Sequence, residues 1–375
     1  MNILIYNPAA LYGGAMSILN RCIEDIAQDT VNRYWIVVAK EAEQAVRIDA
    51  PHIRYIEISR SYRKRFKWLY ANLPSTIRDN GIDAVVSLEN TCNLILKSTP
   101  QYVYLHQSLQ FAPRSILTFK LVLKIKWLNG FLIERSCKKA AGVFVQTGWM
   151  RDAVIGEYRV NPNRVFVLPP KQARFEGGKV DDVLLDRLSE LKRQGDYLGV
   201  CVASPDSYKR IETLIRFVAD HNRTNADRPV SMLLTFSPGA NGYAKKIEKL
   251  AADLLISEFI LFAGRLSPVT MDKVYELADG AFCSSGVESL GLPLVEAMSR
   301  GLKLFAPDLP YVRDVCGNYA VTYRFDDEKS LLARFKEHRL EPSPAQSTYS
   351  GESFIKLMEK IQKNETGSVE CAELV

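Results

Sequence analysis

The sequence predicts an α/β fold: two Rossmann-like domains, each a parallel sheet flanked by helices. Three observations carry that expectation. The chain has 375 residues, room for roughly two to three domains that each bury a full core. Apolar runs of strand length alternate with stretches of helical periodicity, the rhythm of βα units on a parallel sheet. A polar, glycine-bearing segment that opens with Pro169-Pro170 and runs to Lys179 divides that rhythm in two. The expected domains are residues 1–169 and 170–348, with 349–375 as a final helix and tail.

Asn2–Tyr6 is the opening strand, followed by a loop with Gly13-Gly14 and an amphipathic helix through Ile26. A glycine pair suits a tight turn, and the dinucleotide fingerprint G-x-G-x-x-G is absent. Strands are expected at Tyr34–Ala39, Ile53–Ile58, Ala84–Leu88 and Tyr102–Leu105. The last ends at His106-Gln107, and strand ends are where open α/β sheets place ligands. Ala141–Thr147 and Arg164–Leu168 complete the first sheet. The second domain opens with a helix over Val183–Gln194 and a strand over Leu198–Ala203. Ser204–Arg210 then leads into a helix through Ile211, Leu214, Ile215 and Val218. Strands at Ser231–Phe236 and Phe259–Phe262 precede Gly264-Arg265 and a helix around Val274–Ala278.

Composition narrows the class. With 47% hydrophobic and 25% charged residues, this is an ordinary globular chain. Seven scattered cysteines without C-x-x-C read as reduced thiols in a cytosolic protein. Met1–Tyr6 lacks a basic stretch, so no signal peptide is expected, and no apolar run is long enough to span a bilayer. The net charge of +6 is unevenly spread: residues 1–170 hold 22 Lys+Arg and 13 Asp+Glu (+9), the rest 27 and 30 (−3). Much of the excess lies in two basic, aromatic stretches, Arg60–Tyr70 and Phe111–Lys139. They are either solvated helix faces or a surface for anionic headgroups. No nucleic-acid-binding motif accompanies them.

Ser284–Gly301 concentrates the chemistry. Gly280–Cys283 before it and Leu302–Ala306 after it read as strands, and Pro293 suits a first helical position. Gly291 opens the backbone to a ligand, and the amides of Leu292 and Leu294 are candidate free donors. Free amides at a helix start suit an anion such as phosphate. Glu288 and Glu296 flank that point with seven residues between them. Carboxylates repel phosphate, so hydroxyls on either side of it are their partners. The alternative is a helix that merely begins with a glutamate.

Glu288-Ser289-Leu290-Gly291-Leu292-Pro293-Leu294-Val295-Glu296 resembles the E-x7-E signature of family 4 glycosyltransferases, retaining enzymes of the GT-B fold. The resemblance implies two domains facing across a cleft, with the final helix crossing back to the first. It implies that a nucleotide-diphosphate sugar, UDP- or GDP-linked, contacts residues 288–292 and Glu296. Gly13 and Gly14 match the family's first-loop glycines, and His106 its active-site histidine beside the acceptor. Lys209 matches a phosphate-binding lysine. The arginine that usually precedes it is missing near Ser204-Pro205, leaving Arg210 or Arg265 as substitutes. The family's P-N-G-V-D-like turn is replaced by Pro169-Pro-Lys-Gln-Ala173. The resemblance assigns Glu288, His106 and Lys209 to catalysis, and without a D-x-D no metal or other cofactor is expected. The acceptor implied is a hydroxyl of a lipid-linked glycan in bacterial surface polysaccharide assembly, at the cytoplasmic face of the membrane. A nucleotide-sugar epimerase or phosphorylase on the same fold, and a non-catalytic carbohydrate or lipid binder, are the rival readings.

Overall fold

The computed structural model describes residues 1–11, 13–42, 45–113, 116, 129–171, 178–224, 228–341, 345–347 and 351–365. The chain divides into two compact units. One comprises Met1–Gln110, Leu123–Ala173 and Ser350–Val375, the other Phe111–Val122 and Arg174–Tyr349. The division thus falls four residues beyond the expected 169/170 boundary. A short piece starting at Phe111 also belongs to the second unit, because Ile116 lies against Gly286.

The first unit holds seven strands: β1 (Asn2–Tyr6), β2 (Arg33–Ala39), β3 (Ile53–Ile58), β4 (Ala84–Ser87), β5 (Gln101–Leu105), β6 (Gly142–Val145) and β7 (Val165–Val167). Their order is β3-β2-β1-β4-β5-β6-β7, with every pair parallel. Such a sheet is covered on both faces, and its strands read as unbroken apolar runs. Along β1, Ile3 and Ile5 enter one core while Leu4 and Tyr6 enter the other. Tyr34, Ile36 and Val38 of β2 join the first, and Trp35 and Val37 the second, so the period-two geometry of a strand fills two cores at once.

The second unit repeats the plan with β8 (Tyr197–Cys201), β9 (Val230–Leu234), β10 (Ile260–Phe262), β11 (Gly280–Phe282), β12 (Lys303–Pro307) and β13 (Val321–Tyr323). Their order is β10-β9-β8-β11-β12-β13, again all parallel. The short strand β13 and the helices Gly242–Asp253 and Glu328–His338 escape the sequence reading, although both helices open on side-chain caps, Asn241 and Asp327.

The helix Tyr62–Lys67 runs through a π-helical turn, Trp68–Asn72, into Leu73–Asn80. Residues 114–115 and 117–128 of the second basic stretch lie outside the described residues. Among the described residues no helix is long and apolar enough to cross a membrane.

The final helix, Phe354–Glu365, belongs to the first unit. Phe354, Leu357, Met358 and Ile361, spaced as one helical stripe, are buried in its core. Asp25 accepts the Phe354 backbone amide at 2.8 Å. Phe354→Ala is therefore expected to destabilise the first unit by about 3–5 kcal/mol. Urea denaturation of both proteins measures this, and a midpoint unchanged from wild type contradicts the packing described.

Candidate functional site

The second sheet reverses its winding between β8 and β11. Open parallel sheets leave a crevice outside the carboxyl ends of the strands at such a point. Two loops meet there, residues 202–210 after β8 and 283–291 after β11. The Gly286 amide donates to the Tyr208 carbonyl at 2.8 Å, and the Ser284 hydroxyl to the Lys209 carbonyl at 2.7 Å. Two buried tyrosines hold the second loop: Tyr311 donates to the Ser285 carbonyl at 2.6 Å, Tyr323 to that of Cys283 at 2.7 Å.

These contacts bring Lys209 and Glu288, 79 residues apart, into a direct ion pair. Their side chains are only 14% and 19% exposed. Burial would lower the Lys209 pKa, but the charge of Glu288 and its hydrogen bond outweigh that and raise it. Lys209 is therefore a fixed cation. The pair lines a recess shared with Cys201, Ala203, Gly291 and Pro293.

Gly291 is the residue before the helix Leu292–Ser299 and sits at φ +72°. A side chain there is strained, and a Cβ would lie 3.0 Å from Leu294 Cδ1. The Leu294 amide, expected from the sequence to be a free donor, is not free: it donates to the Gly291 carbonyl at 2.8 Å. With Pro293 carrying no N–H, the Leu292 amide is the donor left at this helix start. Ser289 is half-buried and Leu290 buried in the preceding loop.

Glu296 stands one turn further along the face of Pro293 and accepts the Tyr275 hydroxyl at 2.8 Å. Burial raises its pKa, against the opposing pull of Tyr275 and Arg300. Arg210 does not face an open anion site. It adopts a left-handed backbone at φ +51° and pairs bidentately with Asp326, which Thr213 also contacts at 3.1 Å. Arg265 is exposed, with no ion pair among the described residues.

In the first unit, Gly13 and Gly14 are the first residues of the helix Gly13–Ile26 and do not lie in the loop before it, where they were expected; a Cβ on Gly14 would meet open space. His106 follows β5. Its Nε2 lies 3.0 Å from the Leu88 carbonyl and 3.4 Å from Asn90 Nδ2; the carbonyl is the nearer and can only accept, which favours the proton on Nε2 and the lone pair on Nδ1. Burial lowers its pKa, so the ring is neutral. Asn90, itself at φ +64°, fixes the strand end by accepting the amides of His106 and Gln107 at 2.8 and 3.1 Å.

The sequence reading missed a buried pair at the corresponding edge of the first sheet. Arg65 donates to Glu89 at 3.2 Å, and Glu89 also accepts the Ala9 amide. This corrects, at Arg65, the expectation that the stretch Arg60–Tyr70 turns its cations to the surface; the Arg65 side chain is 20% exposed and turned inward. The position of Glu89 directly after the β4 run was the available signal. Tyr208, Tyr275 and Tyr311 were also missed, since tyrosines in apolar patterns read as core. Among the described residues no cluster of three His, Cys, Asp or Glu side chains suits a metal ion.

The two doubly wound parallel sheets, with a cation and two carboxylates grouped at one switch point, define an α/β protein of the GT-B fold. A sucrose-phosphate synthase from Thermosynechococcus elongatus aligns with a TM-score of 0.71 over 98% of this chain and all of that one, at 16% identity. HepE from Anabaena, in complex with UDP and glucose, aligns with a TM-score of 0.67 over 98% of this chain and 100% of that one, at 13% identity. At such identities the likeness is one of fold. Residues 185–339, the greater part of the second unit, match the family of glycosyl transferases, group 1. A curated relative is the O-antigen chain mannosyltransferase RfbU of Salmonella typhimurium, 22% identical over 206 residues, or 55% of this chain and 53% of that protein. The chain thus spans about half the length of that relative.

Removing Glu288's charge leaves Lys209 buried and unpaired. Glu288→Gln is expected to lower stability by on the order of 1–3 kcal/mol, and the double change Lys209→Met, Glu288→Gln by less. Thermal denaturation of the wild type, of Glu288→Gln, of Lys209→Met and of the double variant closes the cycle; additive losses would show that the two residues do not interact.

Proposed function

We propose that this protein is a retaining, metal-independent glycosyltransferase of the hexosyl-transferring type. It moves a sugar from a nucleotide-diphosphate sugar, UDP- or GDP-linked, to a hydroxyl of a lipid-linked glycan in bacterial surface polysaccharide synthesis. The observation that carries this is the Lys209–Glu288 pair at the switch point of the second sheet, beside Gly291 and one turn from Glu296. In the ligand-free pair each charge satisfies the other. A sugar diphosphate offers both a better partner: phosphate oxygens for Lys209 and sugar hydroxyls for Glu288. As the glycosidic bond breaks, negative charge grows on the diphosphate, and Lys209 with the Leu292 amide stabilises it. Glu296 holds the ribose hydroxyls. In the first unit the bare Nδ1 of the neutral His106 is suited to accept a hydrogen bond from the acceptor hydroxyl. Arg265, unpaired among the described residues, is better suited than Arg210 to replace the missing phosphate-binding arginine. The match of residues 185–339 to group 1 glycosyl transferases and the likeness to RfbU support the same activity and setting.

Titration with UDP and GDP separates the two glutamates. Glu296→Ala should weaken binding by roughly ten-fold or more, whereas Glu288→Ala should leave it intact and abolish sugar transfer. Equal loss of nucleotide binding in both variants contradicts these roles. Lys209→Ala should slow transfer by on the order of 10²–10³, and a chelator should leave the wild type unchanged. Activity lost to a chelator and restored by magnesium or manganese overturns the metal-independent reading.

The acceptor's location follows from the first basic stretch. Tyr62 and Phe66 are 65% and 53% exposed, beside exposed Arg60, Arg63, Lys64 and Lys67. Exposed aromatics among cations suit an anionic membrane surface, where each cation contributes about 1 kcal/mol. Sedimentation with anionic but not neutral liposomes is expected, weakened by salt. Changing Arg63, Lys64 and Lys67 to Glu, while sparing the inward-facing Arg65, should abolish it. A wild-type protein that ignores anionic liposomes at low salt has only solvated helix faces there.

A further inference from the structure

Glu296 is held by residues that the sequence reading did not name. Tyr275, on the helix Pro268–Leu277, is 2% exposed and donates its hydroxyl to Glu296 Oε2 at 2.8 Å. Arg300 closes the arrangement from the far end of Glu296's own helix. Its guanidinium carbon lies 4.7 Å from the centre of the Tyr275 ring, and its Nη1 donates to the Glu296 carbonyl at 3.1 Å. Its Nη2 pairs with Asp272, one turn before Tyr275. The tyrosine ring is thus fixed on the helix that carries it and by the cation over its face.

A carboxylate that receives two neighbouring hydroxyls must be ionised, because only then do both oxygens act purely as acceptors. We propose that Tyr275 is a positioning residue for nucleoside diphosphate binding. Its hydroxyl occupies Oε2 and keeps the Glu296 carboxylate ionised and oriented for the cis-diol of a ribose, with Arg300 holding the ring in place. This rests on the reading of Glu296 as the ribose ligand. The electrostatic surroundings have a definite balance. Burial raises the Glu296 pKa; the Tyr275 hydrogen bond and the charge of Arg300 lower it, and Asp272 raises it. The Cys201 thiol, from β8, adds a small upward push on the Tyr275 pKa. Burial and Glu296 raise the Tyr275 pKa well above its ordinary value, so the phenol keeps its proton and remains a donor. Without that donor the carboxyl takes up a proton at higher pH, and ribose binding fails earlier as pH falls.

Calorimetric titration of the full chain with UDP, GDP, 2′,3′-dideoxy-UDP and inorganic pyrophosphate, between about pH 5.5 and 8, tests this. Tyr275→Phe should weaken UDP or GDP binding roughly ten-fold or more at the acidic end and less at the alkaline end. The midpoint of the pH dependence should move upward. Pyrophosphate and the dideoxy nucleotide, which offer no cis-diol, should bind the variant and the wild type alike. Arg300→Gln, which frees the ring but keeps the hydroxyl, should shift the same midpoint in the same direction by a smaller amount. A Phe variant with the wild-type affinity and pH profile overturns the proposal and leaves the reading of Glu296 intact. Equal losses for pyrophosphate and nucleotide overturn it in favour of a purely structural tyrosine. A wild type that binds neither UDP nor GDP removes the ribose site itself, and this inference with it.

Discussion

Parallel strands end together, and a sheet whose winding reverses at a central strand cannot cover the gap between its two diverging halves. That constraint governs the second unit. Strands β8 and β11 are neighbours in space although β9 and β10 lie between them in sequence. The loops that follow them emerge at the same edge, where the crevice opens. Lys209, Glu288, Gly291 and Glu296 all come from those two loops and the helix that begins at Leu292. The loops are held in turn by side chains from further along the chain, Tyr311 and Tyr323, whose hydroxyls reach the Ser285 and Cys283 carbonyls. A loop fastened this way keeps its backbone hydrogen bonds satisfied at the edge of a core.

Electrostatics then decides what the crevice can hold. Burial works against the charge of a lysine only 14% exposed, and the charge of Glu288 outweighs it. The pair is charged, buried and open on one side, so it is stable when empty and ready to exchange partners with a ligand carrying both anionic and hydroxyl groups. Arg210 shows the contrast. It follows Lys209 directly, yet its left-handed backbone sends its guanidinium to Asp326. Neighbours in sequence have different electrostatic roles because one residue in the left-handed region redirects the side chain.

The first unit applies the same geometry with other residues. Glu89, two residues after β4, accepts from the loop after β1 through the Ala9 amide and from Arg65. Burial raises the Glu89 pKa, and Arg65 pulls it back. The stretch that contains Arg65 consequently has two characters: Arg63, Lys64 and Lys67 are exposed beside Tyr62 and Phe66, while Arg65 and Trp68 turn to the interior, Trp68 stacking on Tyr6 at 5.5 Å.

Much of this was legible in the residues alone. Strands such as Asn2–Tyr6 and Tyr34–Ala39 are unbroken apolar runs because both their faces are covered, and a run of that kind announces a parallel sheet. The helix after Gly291 could be read from Pro293 and from a glycine whose conformation other residues resist. The spacing of Glu288 and Glu296 marked the site. What the sequence left open were the partners. It offered the Leu294 amide as free, whereas the turn itself consumes it. It counted Arg65 with the surface, set Arg210 beside Lys209 as an equal candidate, and gave no hint that Tyr275 serves Glu296. Periodicity and local propensity report which side of an element is buried, since they depend on near neighbours. They carry no information on which side chains from distant segments meet, because the crossings of the chain decide that, and those belong to the tertiary structure alone.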